Sequence, residues 1–199
     1  MPNPNPIREI TELRDKKQVF KDRQHAGELL AGILKPVARR RPLIIGIPAG
    51  GIPVAATVAQ RLAFNLEVAV VTKISLRCDS DASFGAVAFD GTLAIDEEKL
   101  SGLELTEQEI EEAISLTQEK VSQRNLLLRG NRPFPDLTMQ TVILVDDGLA
   151  SGFTMQVAIQ ALRRAKASHI VVAVPTGHAN TVERIAGQAE QIFCCNIRS

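Results

Sequence analysis

Two adjacent carboxylates, Asp146 and Asp147, stand between the apolar run 142–145 and a stretch of small and hydroxylated residues, Gly148-Leu149-Ala150-Ser151-Gly152-Phe153-Thr154-Met155. The apolar run reads as a buried strand, and the residues after Gly152 read as a helix. In open α/β sheets, ligands sit beyond the carboxyl ends of the strands. Backbone amides of a small-residue loop there can cradle a phosphate, and a helix N-terminus adds unpaired donors and partial positive charge. The hydroxyls of Ser151 and Thr154 add donors without bulk, and Gly148 and Gly152 permit close approach. Carboxylates beside such a cradle would repel a bare anion. They suit hydroxyl groups, such as the 2′ and 3′ positions of a ribose, and one sugar then separates them from a 5-phosphate. An isolated Asp-Asp pair often does no more than close a strand–loop–helix turn. The full pattern of strand, Asp-Asp, small loop, Ser-Gly-x-Thr and helix argues for the binding role. It is neither a Walker loop, which needs Gly-Lys-Ser/Thr, nor a GxGxxG fingerprint.

Other positions line up at the same edge. Gly46-Ile47-Pro48-Ala49-Gly50-Gly51-Ile52-Pro53 ends an earlier strand, and its small residues let backbone approach an anion. The alternative is a plain Gly-rich strand-to-helix turn. Lys73 is expected at the end of a second strand, where it faces either the ligand or solvent. Arg77 falls in the polar, aperiodic stretch 73–83, which fits a mobile loop. His178, in Pro175-Thr176-Gly177-His178, follows a fourth strand and either faces an acceptor or is an incidental loop histidine, whereas His25 and His169 read as structural or solvent-facing. The run Arg39-Arg40-Arg41 reads as a solvated helix end. Phe84, Phe89 and Phe153 are packing candidates. The chain has no Trp or Tyr, so stacking on a base falls to Phe or His, and no nucleobase-recognition signature stands out.

The elements that must hold these residues alternate. Asp22 caps a helix expected over 22–34, the run 42–47 is a strand, and 52–62 a helix. Further strands are expected over 67–72, 141–145, 168–174 and 190–195, with helices over 152–166 and 180–188. Such alternation predicts right-handed crossovers and a mostly parallel α/β sheet flanked by helices. One insertion interrupts it: 84–89 and 92–95 flank Asp90-Gly91, a hairpin signal, and Thr106-x-x-Glu109 is a capping box opening a helix to about Leu128. The 199 residues suit a single domain, with 1–18 peripheral and 74–130 forming a lid, hairpin and helix insertion.

Lys plus Arg and Asp plus Glu both number 23, so the formal charge is zero and any affinity for anions must be local. That balance speaks against a nucleic-acid partner or attraction to a membrane surface. The uncharged stretch 43–59 carries five Gly and Pro breakers, which rules against a membrane helix. The opening Met-Pro-Asn-Pro-Asn-Pro lacks an apolar core and reads as a lead-in rather than a signal peptide. Cys78, Cys194 and Cys195 are odd in number and two are adjacent, which points to reduced thiols and a cytoplasmic setting.

The segment 142–155 resembles the phosphoribosyl pyrophosphate loop of the type I phosphoribosyltransferases. The wider likeness runs from Val19 to Ser199, most specifically over 46–55, 84–90 and 142–155, and is to an uncharacterised bacterial and archaeal subgroup. The resemblance implies that Asp146 and Asp147 hold the ribose hydroxyls, and a magnesium ion indirectly through that ligand. It implies that Gly148, Leu149, Ala150, Ser151, Gly152 and Thr154 hold the 5-phosphate, and that Ala49, Gly50 and Gly51 belong to a pyrophosphate loop that often contains a strained peptide. Many relatives carry Arg at the position of Ala49, a departure that bears on pyrophosphate affinity. Lys73 and Arg77 would assist, Arg77 from a lid. The implied reaction displaces pyrophosphate from C1 of the ribose with a nitrogen acceptor such as a nucleobase, in a protein that is commonly a homodimer. Relatives continue beyond the position of Ser199 with an aromatic-containing tail that would shape the acceptor site. A binding or regulatory module that does not turn its ligand over, and a sugar-phosphate hydrolase, remain open on the same fold.

Overall fold

The computed structural model describes residues 6–76 and 79–199. Arg77 and Cys78, singled out from the sequence, lie outside the described residues, as does most of the opening lead-in. In chain order the elements are β1 (Ile7–Glu9), α1 (Arg23–Ala38), β2 (Leu43–Gly46), α2 (Gly51–Leu62), β3 (Leu66–Val68), β4 (Val71–Leu76), β5 (Asp79–Ala88), β6 (Leu93–Ile95), α3 (Glu97–Ser101), α4 (Glu107–Arg129), β7 (Thr141–Val145), α5 (Phe153–Arg164), β8 (His169–His178), α6 (Ala179–Ala186) and β9 (Gln191–Arg198). A short 3-10 turn, Thr11–Leu13, follows β1.

Six strands form one parallel sheet in the order β1-β9-β8-β7-β2-β3. Its strands read as continuous apolar runs because both faces are covered, and successive residues serve opposite faces. Val142, Leu144, Ile170, Val172, Ile192 and Cys194 pack on the face shared with α5 and α6. Ile143, Val145, Val171, Ala173, Phe193 and Cys195 pack on the face shared with α1 and α2. Full burial of each Val, Leu, Ile or Phe among them is worth about 1.5–3 kcal/mol. The same alternation sends the two adjacent cysteines to opposite faces as free thiols, and burial pushes both thiols up to about 12.

The fold agrees with the α/β reading, and the differences lie at element ends. The first helix extends past Leu34 to Ala38 with Pro36 inside it. The carbonyl that Pro36 cannot serve belongs to Gly32, which is exposed to water. The stretch expected as one strand over 67–72 divides. Leu66–Val68 ends the parallel sheet, and the chain then leaves it to begin β4 of a separate antiparallel sheet ordered β4-β5-β6. The apolar run is continuous across this junction because Ala69, Val70 and Val71 are all buried. Much of the stretch read as a loop over 73–83 therefore belongs to paired strands, with register shifts at Ser75 and Leu76 that hide the alternation. The Asp90-Gly91 turn and the Thr106–Glu109 capping box form as expected, Gly91 at φ 83°. α4 lies against β4 and β5, and the Arg129–Glu67 ion pair, almost fully buried, ties its end to β3. Burial alone would raise the Glu67 carboxyl, but Arg129 and the Val68 amide outweigh it and hold the group below its ordinary range. Among the described residues no helix is long and apolar enough to cross a membrane.

Candidate functional site

The carboxyl ends of β2, β7 and β8 meet at one edge of the parallel sheet. β7 ends at Val145, and Asp146 and Asp147 follow at once. β2 ends at Gly46, next to Val145 in register, and the Ile47 amide donates to the Val145 carbonyl at 2.9 Å. The loops leaving these two strands are therefore pressed together. A Cβ at Gly51 would lie 2.8 Å from both Asp146 Cα and the Val145 carbonyl oxygen, and a Cβ at Gly50 would collide with the Asp147 carboxylate. Only glycine allows the loops to approach this closely. The peptide between Pro48 and Ala49 is cis. Among the described residues, the amides of Ala49 and Gly50 have no protein acceptor, and α2 begins directly after them.

The second loop runs from Gly148 to Gly152. Leu149 departs from the role expected of it: its side chain is buried in the core, its amide donates to the Thr176 carbonyl at 2.8 Å, and its carbonyl accepts from the His178 amide at 3.1 Å. These bonds fasten the loop to the end of β8, which continues through Pro175 to His178 rather than stopping at 174. The amides of Gly148, Ala150, Ser151, Gly152 and Thr154 have no protein acceptor among the described residues. Gly152 adopts φ 72° and precedes α5, so a second helix N-terminus opens onto the same edge. In a chain of zero net charge, two helix starts and their free amides supply the local attraction for an anion.

The two carboxylates are not equivalent. Burial pushes the Asp146 carboxyl up to about 7, and the charge of Asp147 pushes the same way, while the Asp147 amide and the more distant charge of Lys73 oppose it. The Asp147 amide donates to Asp146 Oδ1 at 2.8 Å. Asp147 is more open and accepts from Arg23 Nη2 at 2.7 Å and Nε at 3.1 Å, both on Oδ2. Arg23, the first residue of α1, is a site residue that sequence reasoning missed. Its only local sign is the capping Asp22 before it, and 124 residues separate the two partners. With side chains 57% and 36% exposed, the pair is worth about 1 kcal/mol or less, so a ligand can displace it. Phe20, Asp22, Arg23, Ala26, Val54, Asp147 and Pro175 line a cleft of about 250 Å³ beside it.

Lys73 is not at a strand end. It is exposed within β4, opposite Ala86, yet near enough for its charge to act on Asp146. His178 is exposed at the start of α6 and reaches the loop through its backbone amide. Among the described residues no group of three or more His, Cys, Asp or Glu side chains gathers to hold a metal. Two neighbouring carboxylates still fit magnesium, which commonly takes one or two carboxylates and completes its shell with water and ligand oxygens.

A sequence model described as "Phosphoribosyl transferase domain" matches residues 15–199. A Mycobacterium tuberculosis protein named, provisionally, a phosphoribosyl transferase is 32% identical over 177 residues, which is 89% of this chain and 40% of that protein. The chain thus spans well under half the length of this curated relative. The crystal structure of the protein TT1426 from Thermus thermophilus matches with a TM-score of 0.70 and 31% identity, over 89% of this chain and 84% of that one. A purine phosphoribosyltransferase from Pyrococcus horikoshii matches with a TM-score of 0.50 at 18% identity, over 87% and 82% of the two chains, a likeness of fold alone.

Proposed function

The chain belongs to the phosphoribosyl transferase domain family as a type I member, and from that premise we propose that it binds magnesium phosphoribosyl pyrophosphate and transfers the phosphoribosyl group to a nitrogen acceptor of the nucleobase kind. The observation that carries this reading is the packing of the Gly50-Gly51 loop directly against Asp146 and Asp147, with the free amides of 150–152 one short loop away. A ligand with a diol between two phosphate-bearing ends matches that sequence of groups.

In this reading Asp146 and Asp147 accept hydrogen bonds from the ribose 2′ and 3′ hydroxyls. The free amides of Gly148, Ala150, Ser151, Gly152 and Thr154, with the Ser151 and Thr154 hydroxyls, hold the 5-phosphate. Ala49 and Gly50 offer free backbone donors to the pyrophosphate, Gly51, whose own amide is taken by the Ile47 carbonyl, lets the loop approach it closely, and Lys73 adds positive charge nearby. Magnesium, when bound with the ligand, neutralises charge on the leaving pyrophosphate. Displacement breaks the bond from C1 to the pyrophosphate oxygen and forms one from C1 to the acceptor nitrogen, whose proton passes to solvent or a nearby base. Positioning and electrostatics then supply the rate, with no covalent intermediate on the protein. In the same reading the Asp147 carboxylate also favours positive charge developing on the sugar.

Pyrophosphate release, measured against a panel of purines, pyrimidines and other nitrogen acceptors, tests this. Release that requires one acceptor class supports transfer. Binding without release with any acceptor would replace transfer by sensing, and release without an acceptor would indicate hydrolysis. The absence of Arg at position 49 favours sensing as the second reading.

A further inference from the structure

Three consecutive carbonyls of the loop after Asp147 are occupied from one side. The Leu149 carbonyl accepts from the His178 amide at 3.1 Å. The Ala150 carbonyl accepts from Thr181 Oγ1 at 2.7 Å. The Ser151 carbonyl accepts from Arg184 Nη2 in a short contact, and the same guanidinium reaches Gln156 Oε1 of α5 at 3.2 Å. All three donors come from the start and the exposed side of α6. In a trans peptide the carbonyl and the following amide point in opposite directions. Fixing these three carbonyls toward α6 therefore turns the amides of Ala150, Ser151 and Gly152 away from it, and none of the three has a protein acceptor among the described residues.

Packing enforces the arrangement. A Cβ at Gly152 would lie 2.6 Å from Thr181 Cγ2 and 3.1 Å from Arg184 Nη2, so α6 closes one side of the loop completely. Ala150 and Ser151 are exposed on the other side. Thr181 is buried, and no side chain caps α6, so its hydroxyl serves the loop rather than its own helix.

The geometry points to Thr181 and Arg184 as positioning residues that shape a three-amide nest for the 5-phosphate from behind, without touching the ligand. This rests on the phosphoribosyl reading of the site and extends it to a second element. Arg184 also places a positive charge behind the nest. Because Thr181 is buried and Arg184 exposed, Thr181 carries the larger effect.

Calorimetric titration with ribose 5-phosphate, inorganic phosphate and pyrophosphate separates the possibilities. Thr181→Val keeps the side-chain shape and removes the donor. It is expected to weaken ribose 5-phosphate and inorganic phosphate about fivefold to tenfold, consistent with loss of one hydrogen bond. Pyrophosphate, assigned to the 49–51 loop, should stay within about twofold by the same scale. Thr181→Ser, which restores the hydroxyl, should recover the loss, and Arg184→Gln should give a smaller one. Equal affinity of wild type and Thr181→Val for ribose 5-phosphate would overturn the positioning role alone. Equal weakening of all three ligands would overturn it in favour of general damage to the fold. A wild-type protein that binds neither ribose 5-phosphate nor inorganic phosphate would overturn the functional reading and the nest together.

Discussion

The two loops that meet at the ligand edge reach similar chemistry by opposite means. The loop of 148–152 is held from behind: β8 and α6 take its carbonyls, and its amides are left over. The loop of 48–51 is shaped by what lies in front of it: main-chain atoms of Val145 and Asp146 leave no room for a side chain at Gly51, and the Asp147 carboxylate occupies the space beside Gly50. One loop therefore depends on donors elsewhere in the fold, and the other on the absence of atoms. A substitution in the first should act through hydrogen bonds and in the second through collisions.

The sharpest way to break this contrast is Gly51→Ala. Its Cβ would meet main-chain atoms of Val145 and Asp146 that cannot yield. A loss of about 2 kcal/mol is expected, read as a fall in Tm of roughly 4–8 °C. Gly50→Ala should behave differently although it is the neighbouring glycine. Its Cβ meets the far end of the Asp147 side chain, which can swing away, so Tm should move by less than about 1 kcal/mol in equivalent stability while binding of a ribose-bearing ligand falls about tenfold. Similar Tm losses for both variants would show that the two glycines do the same work.

The carboxylates offer a third test. The Asp146 value of about 7 lies above its ordinary 3.8, so the folded protein holds this proton more tightly than the unfolded chain. This stabilising preference for the proton is fully present below about pH 4, is lost between about 4 and about 7, and changes no further above that. Asp146→Asn should remove that slope and stabilise the ligand-free protein at pH 8 by about 1–2 kcal/mol, with less gain at pH 5. Urea unfolding at the two pH values measures the difference. The smallest expected effect is at Arg23, where Arg23→Gln should cost under about 1 kcal/mol because the pair with Asp147 is exposed.

Much of this edge was legible in the sequence because its parts are contiguous. The run Val142 to Thr154 holds strand, carboxylates and amide loop in thirteen positions, and its continuous apolar start placed the carboxylates at the end of a buried strand. Gly50 and Gly51 were legible as a small-residue turn, but their reason was not, since it lies in Asp146 and Asp147 nearly a hundred residues on. Arg23, Thr181 and Arg184 were silent for the same cause: each is an ordinary residue at a helix start or on a helix surface until the sheet brings it to the loop. Lys73 was misplaced because the apolar run through Val71 gives no sign that the chain changes sheets at Ala69 and Val70. The edge strand Ile7–Glu9 is too short for periodicity to announce, and it forms only because β9 presents a parallel partner.

The most direct test of the site is calorimetric titration of phosphoribosyl pyrophosphate with and without magnesium, in wild type and in the Asp146→Asn/Asp147→Asn double variant. Magnesium-dependent binding by the wild type, lost in the double variant, is the expected result. Absence of binding in a wild-type protein shown to be folded, or binding that survives loss of both carboxylates, would contradict the assignment of this edge as a phosphoribosyl pyrophosphate site.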